Sequence, residues 1–441
     1  MALKNLNLHA AMKLYVVAAI NLVCEQAFSD ANHNDLNDQT FSFAKIAATD
    51  RLRGIPEYKH CKQTLTAEET LSKQLGVLAG PRGGPRFESA DADGLMLQLL
   101  DLGLRPGQFT FDEAHFEKEY ADLEKAYYDR EIEYYALAPL NGFVPSTPIS
   151  LSNKIEIIEL QEEEVAPTTE ERRSRPSNNS WMEKLYAVRI RYSLPKAIGQ
   201  THTVTPQDWQ DDHAIQTAVN QQIGEVVTAL RLCGIESVYV PGVLHKASKW
   251  SFGQNRPFPG QFQPETRFSM TVDLDWLHRF AEFWRSLQTE GVQKRQFLVT
   301  AIRRFGFAHE RYRTEDKIID LLVAAEALLL SDGSYTGEVK YRLTQRIAIF
   351  LATTRDDRKT IFNRMRVAYD LRSAVAHGGR YKKQLPKKGD GTVPTTDEFV
   401  WQIQEYVRIA VIKSVQLANQ TSGSGSLLNW DDLCLDGSTI P

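Results

Sequence analysis

The sequence predicts an α+β protein in which a mixed α/β N-terminal region is followed by an all-α C-terminal bundle. Three observations carry this. Strand-like apolar alternation recurs between helical stretches up to about residue 270, and from about 274 only the helical period remains. A chain of 441 residues exceeds one ordinary core, so two to three domains are expected. Charge is unevenly divided: residues 291–420 hold 23 Lys and Arg against 14 Asp and Glu, whereas the remainder holds 29 against 42. An acidic N-terminal part is thus joined to a basic C-terminal one, which points to a polyanion as partner of the basic part.

Taken in order, residues 8–28 read as a helix. Lys13 before the apolar run of 13–24 has the look of a weak signal peptide, but Asn21 interrupts it and no small-residue cleavage site follows. A buried N-terminal helix and a cytoplasmic protein with no membrane partner are expected. The polar loop 29–38 begins like a calcium loop, yet its sixth position is Asp35 and its twelfth Phe41, where Gly and Glu are needed. "GPRGGPR" (80–86) lacks the Gly-Lys-Ser/Thr ending of a phosphate-cradling loop and reads as a connector. The stretch from Phe111 to about Tyr135 reads as one acidic, aromatic helix. "KIEIIEL" (154–160) and "KLYAVRIRYSL" (184–194) alternate as strands, separated by a charged, proline-containing break over 161–180. Residues 214–234 form a helix closed by Gly234, and "SVYVPGVL" (237–244) a further strand. Expected boundaries are 1–165, a linker or long loop at 166–180, 181–273, a helical domain at 274–420 and a flexible tail at 421–441.

Six helices are expected in the C-terminal part, near 274–288, 291–306, 315–330, 337–353, 356–377 and 396–419. The last is announced by a capping box, Thr395 to Glu398. In "EDKIIDLLVAAEALLL", Glu326 lies within a stripe of Leu322, Val323, Leu329 and Leu330. A carboxylate buried alone costs several kcal/mol, so Glu326 should have a partner, for which Arg342 and Arg346 on the next helix are the candidates. A buried ion pair holding two helices in register is the simpler outcome. Orienting the helix that carries Arg372 and His377 is the alternative.

"LRSAVAHGGR" (371–380) places Arg372 and His377 around four residues compatible with a helix, then two glycines suited to ending one. Arg380, Lys382, Lys383, Lys387 and Lys388 follow. The stretch is either a solvated helix end or a phosphate-handling site.

The series "EDKIIDLLVAAEALLL", "GEVKYRLTQRIAIFLA" and "MRVAYDLRSAVAHGG" resembles the Apea-like branch of the HEPN family, most clearly over about 310–380 and more broadly over 274–419. Active members of that family are helical bundles carrying an Arg, four to six residues, then a His, which Arg372 and His377 match. Many have Asn, Asp or His after the Arg, where this chain has Ser373. The N-terminal 270 residues bear a looser likeness to regions preceding this domain in bacterial defence proteins. The resemblance implies a metal-independent endoribonuclease, a toxin or antiviral effector. It would need no cofactor and act as a homodimer on RNA, with tRNA loops among the substrates. Arg372 and His377 would be catalytic, Ser373, Glu326 and Arg346 auxiliary, and Arg380, Lys382, Lys383, Lys387 and Lys388 would hold the RNA. A phage or cellular trigger, or an antitoxin, would act through the N-terminal region.

Elementary chemistry agrees. RNA brings its own nucleophile, so the protein must move protons and stabilise an anionic phosphorane. His titrates near neutral pH, and Arg forks onto phosphate oxygens. Five helical residues set Arg372 and His377 about 140° apart, and the single motif His of each chain cannot be both base and acid. Two chains meeting through the small residues Ser373, Ala374 and Ala376 would supply both. The competing expectation is a non-catalytic HEPN module serving as an RNA-binding or dimerisation platform. A nucleotidyl-modifying activity of the N-terminal part has no motif to support it.

Overall fold

The structure is a computed structural model. It describes residues 4–30, 38–83, 87–105, 108–160, 185–199, 204–247, 249–250, 256–257, 270–332, 338–379, 385–389, 391–421, 423 and 425–435. The chain is α+β, with strands confined to the part before residue 273 among the described residues. It divides into two compact units. One comprises Met1–Leu137, Ile190–Val219 and Val243–Pro259, and the other Ala138–Arg189, Asn220–Gly242 and Gly260–Pro441. The chain therefore crosses between units inside two strands, at Leu137/Ala138 and Arg189/Ile190, and inside a long helix, at Val219/Asn220, and the expected linker at 166–180 lies outside the described residues.

In the first unit, α1 (Leu6–Asp30) buries Leu8, Ala11, Met12, Tyr15, Val16, Ala19, Ile20, Val23 and Ala27, a stripe at three-and-four spacing. Its Leu6–Ala27 stretch is long and apolar enough to cross a membrane by length and composition, but the stripe packs as core. Asn21 falls on the exposed side. The first turn is closed by Glu124, whose carboxylate accepts the backbone N–H groups of Lys4 and Asn5, each at 3.0 Å. Around α1 pack α2 (Asp38–Ala47), α3 (Pro56–Ala67) and α4 (Glu113–Tyr128).

The helix expected to reach Tyr135 stops at Tyr128. Asp129 turns to extended backbone, and Glu131–Pro139 forms β3 after β1 (Leu78–Pro81) and β2 (Phe87–Glu88). Period-2 burial decides this: Ile132, Tyr134 and Ala136 face inward between exposed Glu131 and Glu133. Lys196 closes the C-terminal end of α4, donating to the carbonyls of Ala126 (2.8 Å) and Tyr127 (3.2 Å). Burial pulls its ammonium down to about 8.

β4 (Phe143–Pro145), β5 (Ile149–Ser150), β6 (Ile155–Glu159), β7 (Tyr186–Ile198), β8 (Leu244–Ala247), β9 (Arg256–Pro257) and β10 (Met270–Val272) complete the strands. Within the first unit the sheet order is β2-β1-β7-β3-β8-β9, and β3 meets β8 antiparallel with Tyr134 opposite Ala247. In the second unit β5 and β6 form an antiparallel pair, and β10 runs parallel to β4. The strand expected over 237–244 is not formed. Tyr239 makes a single bridge to Asn141, and Pro241, which has no N–H, prevents a ladder before Leu244. α5 (Pro206–Leu232) starts earlier than 214 because Thr205 and Asp208 cap it reciprocally ahead of Pro206. Gly234 follows its end at φ +97°.

The second unit's helical part follows the expected series: α6 (Leu274–Leu287), α7 (Gln296–Glu310), α8 (Thr314–Leu329), α9 (Val339–Leu351), α10 (Arg355–Ala376) and α11 (Thr396–Gln420). Phe399, Ile403, Val407, Val411 and Val415 of α11 make a buried row at every fourth residue, and the capping box at Thr395 and Glu398 is formed. Among the described residues of this part Asp320, Arg295 and Arg346 are buried charges. Asp320 of α8 is held by Arg304 Nη1 of α7 at 2.9 Å and Arg311 Nε at 2.7 Å. Arg295 is only 2% exposed and donates to the carbonyls of Gly291, Ala418, Thr421 and Gly425 at the C-terminal end of α11. The segment expected to be a flexible tail contains α12 (Trp430–Leu435), with Trp430 and Leu433 buried and the Trp430 indole 5.2 Å from the Arg346 guanidinium.

Asp320→Ala should lower unfolding free energy by about 2 kcal/mol, because it removes the buried carboxylate that accepts a charged hydrogen bond from each of two partly exposed arginines. Urea denaturation checks this, and a loss below about 1 kcal/mol would show that the arginines rehydrate freely.

Candidate functional site

α10 has few helix-breaking residues over its 22-residue length and is seated by Ile361, Met365, Ala368 and Leu371, one buried side chain per turn. Its C-terminal end is a Schellman closure. Gly378, at φ +69°, donates to Val375 O at 2.9 Å, and Gly379 donates to Ala374 O at 2.8 Å. His377 is the last residue on the helical spiral, its N–H reaching Ser373 O at 3.2 Å. The glycines therefore end the helix after His377 and do not swing it off the axis. Its imidazole is exposed and makes no hydrogen bond or ion pair among the described residues.

Arg372 is fixed from two sides. Its Nη2 lies 3.5 Å from Glu326 Oε2 of α8, and its guanidinium sits 5.5 Å from the Tyr369 ring one turn back. Both members of the ion pair are about a quarter exposed, so water reaches the site. Burial raises the Glu326 carboxyl above its ordinary value, and the positive charge of Arg372 offsets this only in part.

The expected partners of Glu326 are thus corrected. Arg346 and Arg342 bind Asp332 instead, at 2.7 and 3.3 Å, and Arg346 also donates to Leu329 O at 2.6 Å. Arg346 thereby closes the C-terminal end of α8, and an auxiliary place beside Arg372 is not what its contacts give it. The carboxylate of Asp332 sits three residues past that helix end, close enough to take both guanidinium groups, and Glu326 is left to α10. The hydrogen bond from Arg346 holds the Asp332 carboxyl below its usual range.

Ser373 is half-buried, with its carbonyl bound to the His377 N–H. Of the basic residues expected to contact RNA, Arg380, Lys382 and Lys383 lie outside the described residues. Lys387 is exposed. Lys388 is committed elsewhere, its Nζ 2.7 Å from Glu398 Oε1 at the α11 capping box. Tyr369 is the contributor that sequence reasoning missed, although its three-residue spacing from Arg372 puts both on one helix side.

Comparison with known proteins finds no matching family model, no matching curated protein and no matching solved structure. The reading of this site accordingly rests on its own chemistry. A permanent cation is held at a half-open helix end, and a titratable imidazole stands free one and a half turns further on.

Glu326 gives the site a pH signature. An acid bound more tightly to its proton when folded adds stability below its ordinary value near 4.3, and that stability is lost as pH rises through the raised folded value. Glu326→Gln keeps the neutral form throughout. Its stability relative to the parent should therefore improve from pH 4 to pH 7 in urea titrations, whereas a decline would show that attraction to Arg372 outweighs burial.

Proposed function

We propose that this protein is a metal-independent endoribonuclease of HEPN type, working as a homodimer in the cytoplasm as a toxin or antiviral effector. The observation that carries the reading is the pairing at the end of α10: Arg372 anchored by Glu326 and Tyr369, and His377 unengaged beyond it.

In this mechanism one His377 takes the proton of the RNA 2′-hydroxyl while that oxygen forms a bond to the adjacent phosphorus. Arg372 neutralises charge gathering on the non-bridging oxygens. As the bond from phosphorus to the 5′-oxygen breaks, a second imidazole delivers the proton that oxygen needs. The products are a 2′,3′-cyclic phosphate and a 5′-hydroxyl. The second imidazole comes from the other chain, since each chain offers one motif His and the reaction needs a base and an acid. Ser373 and Ala374, half-buried within the single chain, permit two such helix ends to approach. The acidic N-terminal part serves as sensor or regulator.

A second reading is favoured by a specific observation. Arg372 is occupied by Glu326 and Ser373 follows it, which suits a non-catalytic platform that binds RNA or dimerises.

Incubation with RNA separates the two. His377→Ala and Arg372→Ala should each slow cleavage by about 10²- to 10⁴-fold with an unchanged circular dichroism spectrum. Cyclic phosphate ends should form equally well in excess EDTA. Cleavage at the parent rate in either variant, or products with 5′-phosphates, would defeat the assignment.

Light scattering should give twice the chain mass. Ala374→Glu, which puts a charge at the closest approach of the two helices, should lower both mass and rate. A monomer cleaving at the full rate would show that one chain holds a complete site.

A further inference from the structure

A hollow of about 410 Å³ lies between the first turn of α9 and the middle of α10, lined by Glu338, Lys340, Tyr341, Thr344, Phe362 and Arg366. Its walls are aromatic. Tyr341 is 53% exposed and meets the edge of Phe362, with ring centroids 5.9 Å apart. Its floor offers no spare polar group, because the buried Thr344 hydroxyl is spent on the carbonyls of Lys340 and Tyr341. Its two cations differ. Lys340 is paired with Asp370, whereas Arg366 is exposed and makes no ion pair among the described residues. The rim is shaped by Glu338, which adopts a left-handed conformation (φ +52°, ψ 35°), uncommon outside glycine.

The hollow shares a helix face with His377 of the candidate site. Phe362, Arg366, Ser373 and His377 recur at spacings of four, seven and four residues, which keeps them within about 60° of one another around α10. Arg366 and His377 are about 16 Å apart along the axis, a span that a few nucleotides of single strand can cover.

We propose that this hollow is a subsite for one unpaired base of an RNA strand, stacked on Tyr341 against Phe362, with an adjoining phosphate on Arg366. The inference rests on the ribonuclease reading and deepens it, since it makes the substrate single-stranded near the cut. An aromatic wall with one free guanidinium suits a base and its phosphate, because every base has a face to stack and a duplex has none to offer sideways. The apolar floor makes the subsite tolerant of base identity.

The test uses the full chain carrying His377→Ala, so that probes survive, and two single-stranded oligoribonucleotides of equal length. One is an adenosine homopolymer and the other an abasic ribose-phosphate chain of the same charge. Fluorescence anisotropy should show the base-bearing strand bound about tenfold more tightly. Adding Tyr341→Ala should abolish that preference, and Tyr341→Phe should keep it. Arg366→Gln should weaken both strands and reduce the logarithmic salt slope by about one. A preference that survives Tyr341→Ala, in a protein whose parent cleaves RNA, would remove the subsite and leave the ribonuclease reading standing. A parent that neither binds nor cleaves RNA would remove both.

Discussion

A single buried carboxylate sets the geometry of the helical part. Asp320 is almost fully removed from water, which costs several kcal/mol unless the charge is met by good donors. Arg304 and Arg311 meet it from α7 and from the turn that follows, so the α7–α8 hairpin can close in one register only. Sliding either helix by a turn would strand a charge. Fixing the rotation of α8 also fixes where Glu326 points, six residues and about 9 Å further along the axis. Glu326 meets Arg372 of α10 because Asp320 has already chosen the face that α8 turns to its neighbour.

The buried Arg295 works by different physics. Arg295 is offered carbonyl oxygens and the Thr421 hydroxyl at the end of α11, where the backbone carbonyls have no intrahelical partners. Lys196 does the same at the end of α4, and Arg346 at the end of α8. Three helix ends are thus closed by long cationic side chains. Such closure ties each helix end to a distant stretch of chain, which a glycine cap cannot do. At the end of α10 the opposite solution is used: Gly378 and Gly379 satisfy the carbonyls locally, with no side chain among the described residues hydrogen-bonded there. His377 remains accessible for that reason.

The candidate site therefore combines a constrained group with an unconstrained one. Arg372 has lost rotamer freedom to Glu326 and Tyr369, which suits a charge that must wait in place. His377 keeps its freedom, which suits a group that completes a site only when a second chain arrives. The hollow beside Tyr341 extends the helix face of His377 away from the cap, while Arg372 leaves α10 on a different side, toward Glu326.

Much of this was legible in the chain. The helices after residue 274, the capping box at Thr395 and Glu398, and the helix end at Gly378 follow from apolar period and backbone chemistry, which are local. The α+β class was legible for the same reason. Other features were decided only by tertiary packing. "EIEYYALAP" carries helix-compatible residues, and it is a strand because β8 lies ready to pair with it. Residues 237–244 look like a strand, yet Pro241 denies them a ladder. Nothing near Trp430 in sequence says that Arg346 will stack on it. Glu326 shows most clearly where sequence stops. Its place in an apolar stripe demands a cation, and sequence names the need without the partner. Arg342, Arg346 and Arg372 were all within reach of a folded chain, and the rotation of α8 against α10, with Asp332 taking the first two, gave Glu326 the third.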